Sequence, residues 1–433
     1  MCGAPFSRAR AQEKSSWLYA SSMNTLQVPL RLAEQVVLAR LADMEPATRN
    51  EIADVTGLPK TTVVAASNSL LERGLITEET ELTDAKRAGR PATTLRLNLD
   101  DALVVLIDLT REGTRLSVGD CLGREIGNIQ LAVDYSADIY DFTRAVRLAF
   151  EKIVGARRVE GVVLSVPAAF EPGKGLRATT PAEPDLDLKY PQFHVGSPWF
   201  KGDPSQALAT AFGLPSYIEN DANLAALGEA HFGAGKNQKT VVGVSIRLGI
   251  GAGIIIDGAI SRGSAGDAGE LAHVTVEENG RLCSCGNRGC LITVIGESPL
   301  LLEQISAAYE RPVSMEQVLE LVRGGDAGVN RVLKDHGRQI GRALGGFIAM
   351  FEPQMVVVDG SIGSAADSVV DGVAESLALR TQPLMHSAVS IVSGELGHSA
   401  QLMGAISILR DRKLGHLARA VRPSTYRWAE PDS

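Results

Sequence analysis

The spacing of apolar residues changes near residue 100. Between residues 32 and 72, apolar residues recur at three- and four-residue steps in three short segments, which predicts three amphipathic helices. The second segment stops at Gly57, and the third places Val63, Ala66 and Leu70 on one face. Two alternating runs follow, joined by a loop rich in turn residues, which indicates a β-hairpin. The order helix, helix, turn, helix, hairpin predicts a winged helix-turn-helix over residues 31–99.

A winged helix reads DNA with its third helix and its wing, so small polar and basic residues at these places are candidate contacts. The candidates are Lys60, Thr61, Thr62, Ser67 and Asn68 in the third helix, and Arg87 and Arg90 in the wing. Residues 31–99 hold nine Lys/Arg against ten Asp/Glu, so basic residues are concentrated rather than abundant. A three-helix domain that binds another protein is the alternative interpretation.

From Asp100 onward the pattern becomes α/β. The runs ALVVLIDL, TRLSVGD and EIGNIQLA predict an antiparallel meander of three strands. A helix and the buried strand GVVLSV follow, and a strand–helix theme restarts near residue 216. The Gly-rich segment after residue 240 predicts two strands joined by a tight bend. Two α/β halves with ligand loops between them are typical of the actin-like, sugar-kinase architecture.

Composition narrows the class of protein. The 433 residues exceed what one core normally serves, so two or three domains are expected. The net charge of −8 disfavours a uniformly basic nucleic-acid coat but allows a local DNA-reading module. No run approaches the ~20 apolar residues of a membrane span. The N-terminus lacks the apolar core of a secretory signal, so we expect a cytoplasmic protein with no membrane partner.

Three of the five cysteines stand within CSCGNRGC, residues 283–290. With His273, the thiols of Cys283, Cys285 and Cys290 make a set of one imidazole and three thiolates, which suits a closed tetrahedral zinc site. Glycines between the cysteines allow the tight turns that bring thiolates together. The alternative is a disulfide with a spare thiol, which is disfavoured in a cytoplasmic chain. One structural zinc per chain is therefore predicted.

These motifs resemble those of the ROK family (repressors, open reading frames and kinases). The segment GELAH before CSCGNRGC is similar to the family's zinc signature, and ENDANLAALGE resembles its sugar-binding segment. GIGAGIIIDG resembles its second phosphate loop, and GRPATTLRLN the wing of its repressor branch. The resemblance spans about residues 32–416. It implies a winged helix-turn-helix followed by a two-lobed actin-like (RNase H-like) domain.

The domain prediction follows from this resemblance and from the patterns above. Its segments are a disordered tail (1–30), the winged helix (31–99), an N-terminal lobe (100–222), a C-terminal lobe with the zinc site (223–416) and a second tail (417–433). The last helix is expected to pack on the N-terminal lobe.

The resemblance also implies roles for individual residues. Asn220 and Asp221 match the pair that binds sugar hydroxyls, and in the family's kinases that aspartate is the general base. Glu270 matches another hydroxyl-binding carboxylate, and His273 borders the same pocket. Taken without the neighbouring motifs, Asn220 and Asp221 would be read as an ordinary helix N-cap.

Two departures from the family pattern oppose catalysis. The kinases carry glycines in their first phosphate loop, whereas this chain has DLTREGT, with Thr110, Arg111 and Glu112 in that loop. A family glutamate that contacts the sugar is Ile292 here. Each hydrogen bond to the sugar that is lost in this way lowers the free energy of sugar binding by roughly 1 kcal/mol.

The sequence therefore predicts a non-catalytic regulator, a repressor of carbohydrate-related genes. Its expected partners are double-stranded operator DNA, a sugar or sugar-phosphate effector, and further copies of itself in a homodimer or homotetramer. Two alternatives stay open: a ROK sugar kinase that phosphorylates hexoses with ATP, and a ligand-independent DNA-binding regulator whose sugar site has decayed.

Overall fold

The structure is a computed structural model. It describes residues 31–44, 46–80, 93–98, 102–110, 113–132, 139–171, 175–177, 204–247, 249–295, 298–359, 362–382 and 388–418. The chain divides into two compact units, residues 1–99 with 412–433 and residues 100–411. The predicted tail over residues 1–30 lies outside the described residues.

The first unit contains three helices and three strands. In chain order they are α1 (Leu32–Met44), β1 (Ala47–Thr48), α2 (Arg49–Thr56), α3 (Lys60–Glu72), β2 (Ile76–Thr80) and β3 (Thr93–Leu97). The strands form one antiparallel sheet in the order β1-β3-β2. The predicted helices and hairpin are present. Strand β1 was not predicted, because a strand of two residues is too short to show an alternating pattern.

Local sequence explains where α2 begins and ends. Thr48 accepts a hydrogen bond from the Glu51 amide at 3.2 Å, and the Glu51 carboxylate accepts one from the Thr48 amide at 2.7 Å. This reciprocal pair is a capping box. Gly57 ends the helix in the left-handed conformation, as the sequence predicts.

The second unit begins with a mixed five-stranded sheet, called here the first sheet. Its members are β4 (Leu103–Thr110), β5 (Gly113–Asp120), β6 (Glu125–Leu131), β7 (Val159–Val166) and β10 (Ser216–Asn220), in the order β10-β7-β4-β5-β6. The predicted meander is β4-β5-β6, while β7 and β10 run parallel to β4. Helices α4 (Ile139–Val154) and α5 (Pro204–Phe212) supply side chains to its core. Strands β8 (Ala169–Glu171) and β9 (Gly175–Arg177) form a separate antiparallel sheet of two strands.

A second five-stranded sheet, called here the second sheet, repeats the theme. It contains β11 (Thr240–Ile246), β12 (Ile250–Ile256), β13 (Ala259–Ile260), β14 (Met355–Val358) and β15 (Ser390–Ser393), in the order β13-β12-β11-β14-β15. Its helices are α7 (Leu291–Ile295), α8 (Ser298–Ala308), α9 (Met315–Arg323), α10 (Ala327–Phe351) and α11 (Ala365–Ala378). The long predicted helix is α10, and the buried strand after it is β14.

Two further helices follow, α6 (Asp221–Phe232) and α12 (Ala400–Ala418), of which residues 221–232 and 400–411 belong to this unit. Helix α6 packs on β11 and β12. In α12, Leu402 and Ile406 lie beside Gly119 of β5, and Leu409 lies beside Gly161 of β7. Residues 419–433 lie outside the described residues. In the part of the chain that the structure describes, no helix has the length and apolar character needed to cross a bilayer.

Candidate functional site

The first candidate site is a cluster of one histidine and three cysteines. The ligand atoms of His273, Cys283, Cys285 and Cys290 all lie within 4.8 Å of one another. Cys283 Sγ is 3.5 Å from His273 Nδ1, and Cys285 Sγ is 3.6 Å from Cys290 Sγ. Two thiolates bound tetrahedrally at about 2.3 Å from zinc would stand about 3.8 Å apart, so these separations fit one ion.

Backbone turns bring the cysteines together. Gly286 has φ 92° and Gly289 has φ 60°, a region that side chains disfavour. The amide of Cys283 donates to Asn287 O at 2.7 Å, which closes the loop between the first two thiols and the third. The glycines of this segment therefore form the tight turns that the sequence predicts.

The protonation of the cluster also favours a cation. Burial and the neighbouring thiols raise the pKa of Cys290 to about 12. Burial lowers the pKa of His273, so its imidazole is neutral and able to coordinate. Three crowded thiols can all ionise only beside a positive charge. The cluster is able to hold a metal ion.

The second candidate site, called here the effector site, begins where β10 meets α6. Asn220 caps the helix: its Oδ1 accepts hydrogen bonds from the amides of Ala222 at 2.9 Å and Asn223 at 3.1 Å. Asp221 Oδ1 accepts from the Ala222 amide at 2.8 Å. The N-cap interpretation is thus correct for Asn220, and the helix it starts positions Asp221.

Glu219, which the sequence analysis did not single out, organises this junction. It is 2% exposed, and its Oε1 accepts from the Asn220 amide and from Asn223 Nδ2, both at 3.0 Å. Its Oε2 forms an ion pair with Arg262, whose Nε donates at 3.0 Å. Arg262 lies after β13, so this pair joins the first sheet to a loop of the second sheet.

A second buried ion pair, also missed from sequence, joins the same two sheets. Arg247 Nη2 donates to Asp108 Oδ2 at 2.7 Å. Asp108 lies on β4 and is 4% exposed, while Arg247 follows β11 and stands just before the Gly-rich turn. Near them, Asp359 accepts from Ser245 Oγ at 3.2 Å. The only signal in the sequence is an arginine in an otherwise apolar, glycine-rich stretch.

Asp221 and Glu270 share a buried acidic environment. Burial raises the pKa of Asp221 to about 6, with Asp108 and Asp359 adding to the rise and Arg247 opposing it. Burial raises the pKa of Glu270 to about 7, and Asp267 and Asp221 add to that rise. The charge of Asp221 therefore contributes to the raised pKa of Glu270.

His273 links the two candidate sites. Its amide donates to Glu270 O at 3.1 Å within a 3-10 turn over Leu271–His273, so the Glu270 carboxylate and the histidine of the metal cluster lie on one short segment. Ile292 of α7 packs against the apolar core of the second sheet, in keeping with its replacement of a polar residue. Arg111 and Glu112, predicted to spoil the first phosphate loop, lie outside the described residues.

Helix α3 presents most of the predicted DNA contacts to solvent. Lys60, Thr61 and Asn68 are exposed, and Thr62 is half-buried. Ser67 is fully buried, so its prediction as a DNA contact is wrong: it faces the core beside Val63, one turn before it. Asn68 Oδ1 accepts from Arg49 Nη2 at 3.3 Å. Arg87 and Arg90 of the wing lie outside the described residues.

Comparison with known proteins finds related repressors and kinases. The chain is 27% identical to the xylose repressor of Bacillus subtilis over 384 residues, which is 89% of this chain and 96% of the repressor. It is 26% identical to the glucokinase of Thermotoga maritima over 325 residues, 71% of this chain and 98% of the kinase.

A solved structure shows the same fold. The crystal structure of a ROK family transcriptional regulator, a homologue of the Escherichia coli MLC protein, superposes with a TM-score of 0.68 at 22% identity. The superposition covers 89% of this chain and 98% of that one. The sequence profile of the ROK family matches residues 195–412, which is half of the chain. The chain belongs to the ROK family.

Proposed function

We propose that the protein is a DNA-binding transcription regulator, a repressor of carbohydrate-related genes, whose second unit binds a sugar-like effector without catalysis. The observation that carries this proposal is the winged helix, residues 31–98 of the first unit, in the same chain as a ROK domain. The xylose repressor matches 89% of the chain, whereas the glucokinase matches 71%. The longer match supports the regulator over the kinase.

The exposed face of α3 supports DNA binding. Lys60 and Thr61 open the helix, where a basic side chain and free amides attract phosphate. Asn68 is exposed two turns later, and its amide is a group that pairs with the edge of an adenine base. We place Lys60, Thr61, Thr62 and Asn68 in the interface, together with Arg87 and Arg90 of the wing. A homodimer or homotetramer would present two such helices to an operator with two half-sites.

Several features oppose phosphoryl transfer. A kinase must surround the ATP phosphates with backbone amides and cations. Here Asp108, the first residue of DLTREGT, is already paired with Arg247. Asp221 keeps a carboxylate that would serve as a base, but a base without an oriented phosphoryl donor gives little rate. We therefore assign Asn220, Asp221, Glu270 and His273 to effector binding and not to catalysis, with His273 also a ligand of the metal.

The metal of the cysteine cluster is proposed to be zinc, one ion per chain. Three thiolates and one imidazole are soft ligands that prefer zinc, and they leave no position for a reactive water. The ion would hold the segment that carries Glu270 and His273. Its role is therefore structural support of the effector site.

The DNA-binding proposal is tested by reversing the charge of Lys60. We expect Lys60→Glu to weaken binding of genomic fragments at least tenfold and to reduce the salt dependence of the affinity, measured by fluorescence anisotropy. Lys152 is an exposed residue of α4 in the second unit. Lys152→Glu makes the same charge change there and should leave the affinity for DNA unchanged. Equal binding by both variants and the parent would refute the assignment of α3.

A further inference from the structure

The exposed face of α3 is apolar at its centre. Thr61, Val64, Ala65 and Asn68 are exposed, and their spacing of i, i+3, i+4 and i+7 places them on one face of the helix. Val64 is 41% exposed in a helix whose opposite face is buried. Residues 60–71 include one lysine and no acidic residue, so this part of the helix does not repel phosphate. The face can therefore approach DNA closely, and its centre offers methyl groups to the bases.

Methyl groups recognise one feature of the major groove. Among the four bases only thymine presents a methyl group there, at C5, and short apolar side chains contact it. Val64 and Ala65 are short, and a β-branched side chain such as Val64 keeps one strongly preferred rotamer within a helix. The methyl groups of Val64 are therefore in place before DNA binds. These two side chains favour thymine over cytosine, which has no methyl group at C5.

A hydrogen-bond network orients Asn68, the amide on the same face. Arg49, the first residue of α2, donates from Nη2 to Asn68 Oδ1 at 3.3 Å and forms an ion pair with Glu78 of β2. The charge of Arg49 is thus balanced within the protein. Because the guanidinium holds Oδ1, the plane of the Asn68 amide is fixed. Its Nδ2 can donate to N7 of an adenine, while the second lone pair of Oδ1 accepts from N6 of the same base.

We propose that the exposed face of α3 specifies A·T base pairs in the major groove. Val64 and Ala65 contact the methyl groups of thymines, and Asn68 pairs with an adenine. Arg49 is a positioning residue, which acts on the base through the amide of Asn68. This inference rests on the proposed function, in which α3 binds DNA, and it adds the chemistry of the base sequence that the protein selects.

The first experiment identifies the sequence that the full-length protein selects. The probe is a library of double-stranded DNA with a random central segment, sequenced after repeated rounds of binding. We expect a consensus that contains A·T pairs at the base pairs whose identity changes when Val64 or Asn68 is substituted. A consensus of G·C pairs at those positions, or no consensus among the bound sequences, overturns the inference.

The second experiment tests the methyl contacts on the selected duplex. Deoxyuridine in place of a thymidine removes the C5 methyl group and nothing else. At a thymine that Val64 contacts, this replacement should weaken binding of the parent about threefold, the value of one buried methyl group. The same replacement should have no effect on Val64→Ala. Val55→Ala is the matched control, because Val55 is an exposed valine of α2, and it should show the same loss as the parent. Equal affinity of the parent for both duplexes at every thymine overturns the methyl contact.

The third experiment tests the hydrogen bonds of Asn68 and the role of Arg49. An adenine analogue with carbon in place of N7 should weaken binding of the parent about fivefold and leave Asn68→Ala unaffected. Lysine keeps the charge of Arg49 but lacks its planar fork of donors, so Arg49→Lys should lose most of the preference for adenine. It should keep the thymine preference that Val64 confers, which a general loss of structure would not. The control Arg40→Lys, at an exposed arginine of α1, should keep both preferences. An undiminished adenine preference in Arg49→Lys refutes the positioning role.

The outcomes also separate this inference from the proposed function. If the protein binds DNA and Lys60→Glu weakens that binding, but neither base analogue changes the affinity, the inference is wrong and the DNA-binding assignment stands. If the protein binds no duplex of the library, the proposed function fails, and the inference that rests on it fails as well.

Discussion

At the scale of single residues, burial makes the ionisation of the acidic side chains in the effector site unfavourable. Glu270 has its pKa raised to about 7 from an ordinary value of 4.5, chiefly by burial. A carboxyl with a raised pKa favours the folded state while it is protonated. That contribution is fully present below about pH 4.5 and is lost as the pH rises through 7.

Glutamine cannot ionise, so Glu270→Gln should remove the part of the loss of stability at high pH that comes from ionising this side chain. Relative to the parent, the variant should gain about 2 kcal/mol in the free energy of unfolding between pH 5.5 and pH 8, measured by urea denaturation. The control Glu278→Gln changes an exposed glutamate nearby. Parallel stability curves for Glu270→Gln and the parent would contradict the burial of this carboxyl.

The proposal that the cluster of His273, Cys283, Cys285 and Cys290 holds zinc gives a second prediction at this scale. Cys283→Ser should reduce the zinc content from one ion per chain to nearly none, because three ligands bind zinc far more weakly than four. It should also cost several kcal/mol of stability, since structural zinc supplies roughly 10–16 kcal/mol in small zinc fingers. Elemental analysis and thermal unfolding measure both effects.

Cys121→Ala is the matched control, because Cys121 is a buried cysteine outside the cluster. It should keep the full zinc content. Parent protein purified without chelators and found free of zinc would refute the assignment.

At the scale of elements, helices α6 and α12 pack against each other where each of them has a glycine. A Cβ on Gly228 would lie 2.1 Å from Ala400 O, and one on Gly404 would lie 2.0 Å from Leu224 O. The two backbones therefore approach more closely than any side chain permits. This contact fixes the helix that begins with Asp221 against the last described helix of the chain.

Gly228→Ala should therefore lower the free energy of unfolding by about 1–3 kcal/mol, although alanine ordinarily favours a helix. Gly346→Ala in α10 places its Cβ in open space and should raise stability by up to about 1 kcal/mol. Denaturant unfolding of both variants measures this opposite sign. Stabilisation by both substitutions would show that α6 and α12 are further apart.

Elements with a clear period could be predicted from the sequence. The helices of the first unit, the meander β4-β5-β6 and the long α10 all follow from spacing that extends over many residues. Strand β1 was missed because it has two residues, and Ser67 was misplaced because a small polar residue on a buried face looks like a surface residue. The pair Arg247–Asp108 joins residues 139 apart, which local pattern does not connect.

At the scale of the whole molecule, the ion pairs Arg247–Asp108 and Arg262–Glu219 join the two sheets of the second unit, and the segment DLTREGT lacks the glycines of the kinases' first phosphate loop. We expect no measurable ATP-dependent phosphorylation of glucose, mannose or N-acetyl sugars in a coupled assay. The similarity to a glucokinase makes this a necessary measurement. Turnover above background that is abolished by Asp221→Asn would identify the protein as a kinase instead.

Helix α12 makes the first sheet depend on a segment that is translated about 230 residues or more after strands β5 and β7. Strands β5 and β7 are synthesised early, yet Leu402, Ile406 and Leu409 lie against them only after residue 400 has left the ribosome. Until then the nascent chain carries an uncovered apolar sheet, which chaperones and proteases recognise. We infer that a premature stop codon upstream of α12 prevents the second unit as a whole from folding.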